Sequence, residues 1–349
     1  MIDPHVSAHY TGDCRHLLKR LPAGCVQTCI TSPPYWGLRD YDTEGQIGQE
    51  DTPEEYVIEL VEVFDGVWRA LADDGTLWLN LGDCYASRGG HSDEKCSDRR
   101  GQYNIGNRPE HNNRRFRALN RTKGIDPKNK RKGPGSNDAP NRRRHPKLKH
   151  KDLVGVPWMV AFALRDRGWY LRMDCIWSKP NPMPESVTDR PTKAHEYLFL
   201  LSKSASYYYD AAAIAETAEE AGRTVRLRDK SFPRGQALGA GVDPSGNGAA
   251  NTFLVAEVRN KRSVWTVTPA PYAGAHFATF PPDLIEPCVL ACSRPGDLVL
   301  DPFFGSGTTG EVAEKHERRW IGFDINPKYA ELAKERTAQR SLPLSRRDG

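Results

Sequence analysis

Apolar positions along this chain follow two rhythms, short continuous runs and stripes at helical spacing, and the two alternate. Residues 26–31 (VQTCIT) are an apolar run that stops at Ser-Pro-Pro, where proline ends a strand ladder. A helix is predicted from Pro53: Thr52 or Asp51 caps it, proline suits its first turn, and Glu54 and Glu55 complement its dipole. Tyr56, Leu60, Val63, Phe64, Val67 and Leu71 give it one apolar stripe. Asp74 and Gly75 close that helix, and 76–81 (TLWLNL) reads as the next strand. A helix over 156–167, a strand over 170–177, a proline-rich turn and a strand over 196–201 follow. The last part reads as helix 281–292, strand 298–301, helix 307–315, strand 320–324 and helix 327–340, the last capped by Asn326. Such alternation predicts an α/β fold on a parallel sheet. There is no internal repeat.

Two segments break the rhythm. Residues 88–151 are rich in Arg, Asn, Gly and Pro and read as an inserted flexible loop; 210–262 form a second variable module. Composition is otherwise ordinary, with 38% hydrophobic and 27% charged residues over 349 positions. That excludes a collagen, a disordered tail and a disulfide mini-protein. No apolar stretch approaches the ~18 residues of a membrane span, and the N-terminus lacks the basic and apolar regions of a signal peptide. A soluble, cytoplasmic protein is expected. The overall charge of +5 hides an asymmetry: 88–151 carries 20 Lys and Arg against 6 Asp and Glu. A near-neutral total therefore joins an acidic body to a basic segment. That pattern fits a polyanionic partner, the plainer reading being a solvated loop. The eight cysteines (14, 25, 29, 84, 96, 175, 288 and 292) form no CxxC, so reduced thiols and no metal site are expected.

Two constellations carry candidate chemistry. Residues 301–310 (DPFFGSGTTG) follow a strand and open a helix. Gly305 and Gly307 allow a sharp turn and close approach to a ligand, and Asp301 stands at the strand's end, where open α/β sheets bind ligands. No lysine follows the glycines, so this is not a phosphate-binding Walker loop. The next strand, WIGFD, ends in Asp324, at the spacing where a carboxylate can hold ribose hydroxyls. The second constellation is 31–36 (TSPPYW), again at a strand end. Its prolines hold the Ser32 hydroxyl and the Pro33 carbonyl as rigid acceptors for an amino group, beside Tyr35 and Trp36 as rings that can stack on a base. Read alone, each is also compatible with a structural turn.

Together these runs resemble the S-adenosylmethionine-dependent amino-methyltransferases that modify exocyclic amines of DNA. SPPY preceding DPFxGSGTT is the order of the permuted group called the beta class. Gly12 and Asp13 resemble the motif that contacts the cofactor adenine. Residues 176–183 (IWSKPNPM), with His195 and Glu196, resemble the block around the target-base pocket; 276–281 (HFATFP) resembles the block that closes over the methionine part. The likeness covers roughly 8–84, 153–209 and 262–340. Two departures stand out. Members acting on adenine usually have Asp or Asn where Ser32 stands, serine being more typical of enzymes that make N4-methylcytosine. The run from His276 to Phe280 also replaces the His-Pro-Thr-Gln-Lys found in many members.

The resemblance implies a Rossmann-like class I methyltransferase sheet, circularly permuted, with an inserted basic loop and a small target-recognition module. The expected partition is a catalytic half at 1–87, the insert at 88–151, core at 152–209, a recognition region at 210–262, a cofactor-binding half at 263–340 and a tail at 341–349. Ser32, Pro33, Pro34 and Tyr35 would be catalytic. Asp13, His276, Phe280, Asp301, Phe303, Gly305, Ser306, Gly307, Thr308 and Asp324 would hold S-adenosyl-L-methionine. The implied substrate is a cytosine flipped from double-stranded DNA and methylated at N4. Adenine N6 on the same fold and a non-catalytic DNA-binding module are the alternatives. Arg223, Arg226, Arg228 and Arg234 are candidate base readers. A cognate restriction endonuclease is a candidate partner, and the chain is expected to be a monomer or homodimer with no membrane contact.

Overall fold

Strand β2 (Val26–Thr31) is buried at every position, as is β11 (Leu298–Asp301), the condition of strands covered on both faces. The computed structural model describes residues 1–38, 43–86, 147–218, 224–226, 252–254, 257–269 and 280–338. Eight strands make one sheet. They are β1 (Ala8–Thr11), β2, β3 (Leu71–Leu81), β4 (Tyr170–Ser178), β5 (His195–Ser202), β10 (Val264–Thr266), β11 and β12 (Arg319–Asp324), in the spatial order β1-β12-β11-β2-β3-β5-β4-β10.

The expected all-parallel sheet is corrected at one strand. β5 runs antiparallel to both β3 and β4, while the other neighbours are parallel. The connection from β4 into β5, residues 179–194, holds no helix to serve as the crossover that a parallel neighbour usually needs. The consequence is functional: β5 brings its first residues, rather than its last, to the edge where β2, β3 and β11 end.

Helices cover both faces. On one side lie α1 (Cys14–Leu18), α2 (Pro53–Ala70) and α3 (Val156–Asp166), whose apolar faces share a core with Cys29, Leu77, Leu79, Leu300 and Ile321. On the other side α4 (Pro282–Cys292) and α5 (Thr308–Lys315) pack on Ile30, Trp78, Leu198 and Val299, with Ala333 of α6 (Pro327–Ala338). Alternate residues of each strand thus feed opposite layers. Thr52 caps α2 in a full capping box with Glu55, worth about 1 kcal/mol. Every stripe residue from Tyr56 to Val67 is buried. Leu71, read as the stripe's last member, is instead extended (φ −68°, ψ 142°) and begins β3. The turn at Asp74 and Gly75 is absorbed into that strand, where pairing with β2 shifts register.

Within the second variable module the described residues form two antiparallel ribbons, β6 (Glu216–Thr217) with β9 (Val258–Arg259) and β7 (Thr224–Arg226) with β8 (Thr252–Leu254). Arg223, Arg228, Arg234, His276, Cys96 and nearly all of the basic insert lie outside the described residues, as does the side chain of Arg226. Among the described residues no helix is long and apolar enough to cross a membrane.

Candidate active site

Because β2, β11 and β12 are parallel neighbours, the bends that follow them share one rim. Asp301 ties two of these bends together. Its Oδ1 accepts the Thr31 hydroxyl at 2.6 Å and the Phe303 amide at 3.0 Å, and its Oδ2 accepts the Thr309 hydroxyl at 2.6 Å. One buried carboxylate therefore fixes the last residue before Ser32-Pro33-Pro34-Tyr35 against both ends of the glycine bend. Asp324 fastens the same bend from the other side, accepting the Gly305 amide at 2.9 Å and the Asn326 amide at 2.8 Å. Gly305 and Gly307 take left-handed backbone angles (φ 50° and 86°), which the turn requires.

Between the bends opens a cleft of about 1030 Å³, the open solvent at its mouth included. Asp13, Ser32, Pro34 and Phe280 line it, with Asp301, Phe303, Gly305, Ser306, Thr308 and Asp324. Pro33, Tyr35 and Gly307 are not among its lining residues. Burial lifts both Asp301 and Asp324 to about 6, and the charge of Asp324 adds to the effect at Asp301. Neither carboxylate has an ion-pair partner among the described residues. The buried Thr308 hydroxyl, also in the wall, has no hydrogen-bond partner among the described residues. Asp13 differs: it caps α1, and Arg15 grips its carboxylate at 2.7–3.0 Å. Burial opposes ionisation there, yet the Arg15 hydrogen bonds hold the carboxyl below its ordinary value.

The serine-proline bend is braced from behind. The Tyr56 hydroxyl donates to the Pro34 carbonyl at 2.8 Å, whereas no described residue donates to the Pro33 carbonyl. Tyr35 donates its hydroxyl to Glu196 Oε2 at 2.6 Å and to Asn80 Oδ1 at 3.2 Å. Its ring crosses Gly82, where an added Cβ would meet Cε2 at 2.5 Å. Lys179 pairs with Glu196 Oε1. Trp36 does not serve as a second stacking ring. It is 3% exposed, and its indole N–H donates to the Glu50 carbonyl at 2.9 Å, anchoring the loop that packs on the bend.

A family described as DNA methylase, covering N6 and N4 amine modification, matches residues 26–335. The chain belongs to this family. The methylase is 43% identical to the type II methyltransferase M.SmaI of Serratia marcescens over 94% of this chain and 90% of that protein. It is 41% identical to the type II methyltransferase M.Cfr9I of Citrobacter freundii, over 94% and 86% of the two chains. Its fold is that of the PvuII DNA methyltransferase, a cytosine-N4-specific protein, with a TM-score of 0.57 at 18% identity over 95% and 88% of the chains. A putative DNA modification methylase from Thermus thermophilus, solved with S-adenosyl-L-methionine, aligns with a TM-score of 0.53 at 22% identity over 96% and 94%. This chain is thus a type II DNA amino-methyltransferase.

Three supporting residues of the methylase site lie outside the two motifs: Tyr56, Asn80 and Gly82. Asn80 left a signal, being the one strongly polar residue in the run TLWLNL. Buried among leucines at 2% exposure, an amide needs partners, and it finds them in Tyr35, Glu196 and the Tyr197 carbonyl.

Proposed function

We propose that this methylase transfers the methyl group of S-adenosylmethionine to the N4 amine of a cytosine flipped out of double-stranded DNA. The observation that carries the reading is the Thr31–Asp301–Thr309 joint, which sets an amine-binding bend beside a cation-seeking cleft. The cleft suits the donor: two buried carboxylates without a cation face a ligand bearing an ammonium and a sulfonium, and Thr308 offers it an unmet hydroxyl. When bound, S-adenosylmethionine supplies an electrophilic methyl carbon. Asp324 is assigned to its ribose and Asp13 to its adenine. Asp301, Phe303, Phe280, His276, Ser306, Thr308 and the backbone at Gly305 and Gly307 are assigned to its methionine end.

The cytosine amine is a poor nucleophile because its lone pair is delocalised into the ring. Ser32 Oγ and the Pro33 carbonyl each accept one amine hydrogen, which draws the nitrogen towards tetrahedral geometry. The Tyr56 hydroxyl binds the Pro34 carbonyl, and no described residue donates to that of Pro33. Pro34 keeps the bend rigid, and Tyr35 supports the extruded base, worth ~1–3 kcal/mol per stacked base. Positioning and fixed dipoles carry most of the rate. Mass spectrometry of nucleosides from unmethylated genomic DNA treated with the purified protein tests the assignment. N4-methylcytosine supports it, while N6-methyladenine or no product overturns it.

Two further results are expected. A cationic ligand favours the ionised forms of Asp301 and Asp324, so donor affinity should rise with pH through about 6 and level off above 7. One such group weakens binding roughly tenfold between pH 7.5 and pH 5, with proton release near pH 6 visible by calorimetry in buffers of different ionisation enthalpy. Removing residues 93–147 should lower DNA affinity and flatten its salt dependence, since cationic side chains release counterions from phosphates. Fluorescence anisotropy over a salt series reads this; an unchanged slope would place the phosphate-binding surface elsewhere.

A further inference from the structure

Two segments distant in the chain meet in the lining of the donor cleft. One is Gly12 and Asp13, before α1; the other is Gly45, Gln46 and Ile47, on a strap of residues 43–50. The far half of the strap is fixed to the serine-proline bend. The Gly48 carbonyl accepts the Gly37 amide at 2.8 Å, and the Glu50 carboxylate accepts the Gly48 amide at 3.0–3.1 Å. The half that lines the cleft is held by a cation. Arg15 Nη2 donates to the Gly45 carbonyl at 3.1 Å and to Asp13 Oδ2 at 2.7 Å, so a single nitrogen spans the two linings. Its Nε donates to both Asp13 oxygens at 3.0 Å, and its Nη1 pairs with Glu59 of α2. A planar guanidinium can serve three partners in this way, where an ammonium acts as one point charge.

We propose that Arg15 latches the strap across the adenine end of the donor, so that S-adenosylmethionine enters and S-adenosylhomocysteine leaves when the Arg15–Gly45 bond opens. The latch rests on the assignment of Asp13 to the donor's adenine. Opening breaks a single hydrogen bond, because Asp13 and Glu59 keep the guanidinium in place while the strap lifts. Gly45 and Gly48 bracket the moving stretch with left-handed backbone angles (φ 79° and 104°), positions where no Cβ resists a turn of the chain. Ile47, 5% exposed and packed into the core, draws the strap shut again. The glycine loop is independent of the latch, since Asp301 and Asp324 hold it by bonds of their own. Arg15 is therefore a positioning residue: it governs exchange of the donor rather than the methyl transfer.

The test is stopped-flow binding of S-adenosylhomocysteine to wild type, Arg15→Gln and Asp324→Ala, together with single-turnover methylation of unmethylated genomic DNA. In Arg15→Gln the ligand should dissociate about tenfold faster, the usual worth of one hydrogen bond to a charged group. Association should be no slower than in wild type. The KM for the donor should rise about tenfold, with the rate at saturating donor within twofold. A merely structural role gives a different signature: fewer molecules with a formed cleft, hence slower association. Should Arg15→Gln fail to fold, Arg15→Lys decides by the same criterion, since its ammonium cannot serve all three partners. Dissociation within twofold of wild type, or an affinity loss carried by slower association, overturns the latch. If Asp324→Ala loses the ligand in that case, the donor's place in the cleft stands without it. An Asp324→Ala protein that binds as wild type would remove the donor from this cleft, and the latch with it.

Discussion

Ser32→Ala is expected to slow single-turnover methyl transfer about 10²–10³-fold, the cost of losing one fixed partner of a transition-state group. Donor affinity by calorimetry should change less than twofold. The separation follows from the architecture. Ser32 lines the cleft, but the glycine loop proposed to hold the donor hangs from Asp301 and Asp324, neither of which has a hydrogen bond to the Ser32 hydroxyl. The strand end is held by Thr31, whose bond to Asp301 survives the substitution. Loss of donor affinity equal to the loss of rate would make Ser32 part of the cofactor site instead.

Gly82→Ala is the second large effect. Gly82 does not need glycine for its backbone angles, so alanine suits the chain and the clash is the whole consequence. A Cβ there would lie 2.5 Å from Tyr35 Cε2 and 3.2 Å from Cζ, and the ring must move. Moving it breaks the bonds to Glu196 and Asn80 and tilts the surface under the base. Turnover is expected to fall at least about tenfold, the equivalent of one aromatic stacking interaction. The donor should still bind as in wild type, because the cleft wall does not include Tyr35. Wild-type turnover in the alanine variant would show that Tyr35 does not support the target base.

Much of this was legible in the chain because both bends are punctuated by residues with unusual backbones. Prolines after 26–31 and glycines after Asp301 mark strand ends, and parallel strands end on one rim. The capped, striped helix α2 was readable for the same local reason. What stayed hidden was mostly long-range. The Thr31–Asp301 bond joins residues 270 positions apart, and the Tyr35–Glu196 bond spans 161. Neither has a periodic trace. The direction of β5 was hidden too, since antiparallel and parallel partners in a core share one apolar pattern, and only the proline-rich, helix-free connection from β4 betrays it. Trp36 misled in the other direction: an aromatic beside a functional tyrosine reads as a stacking ring, yet burial and one hydrogen bond make it an anchor.

A crystal structure with an unreactive amine analogue of the donor and a duplex carrying the methylated site measures the arrangement itself. Side-by-side bends require the extruded cytosine amine to lie about 3 Å from both Ser32 Oγ and the Pro33 carbonyl, with the donor's reacting position facing it from the glycine loop. A base left inside the duplex, or an amine turned away from that serine with the donor beyond reach, would contradict the account.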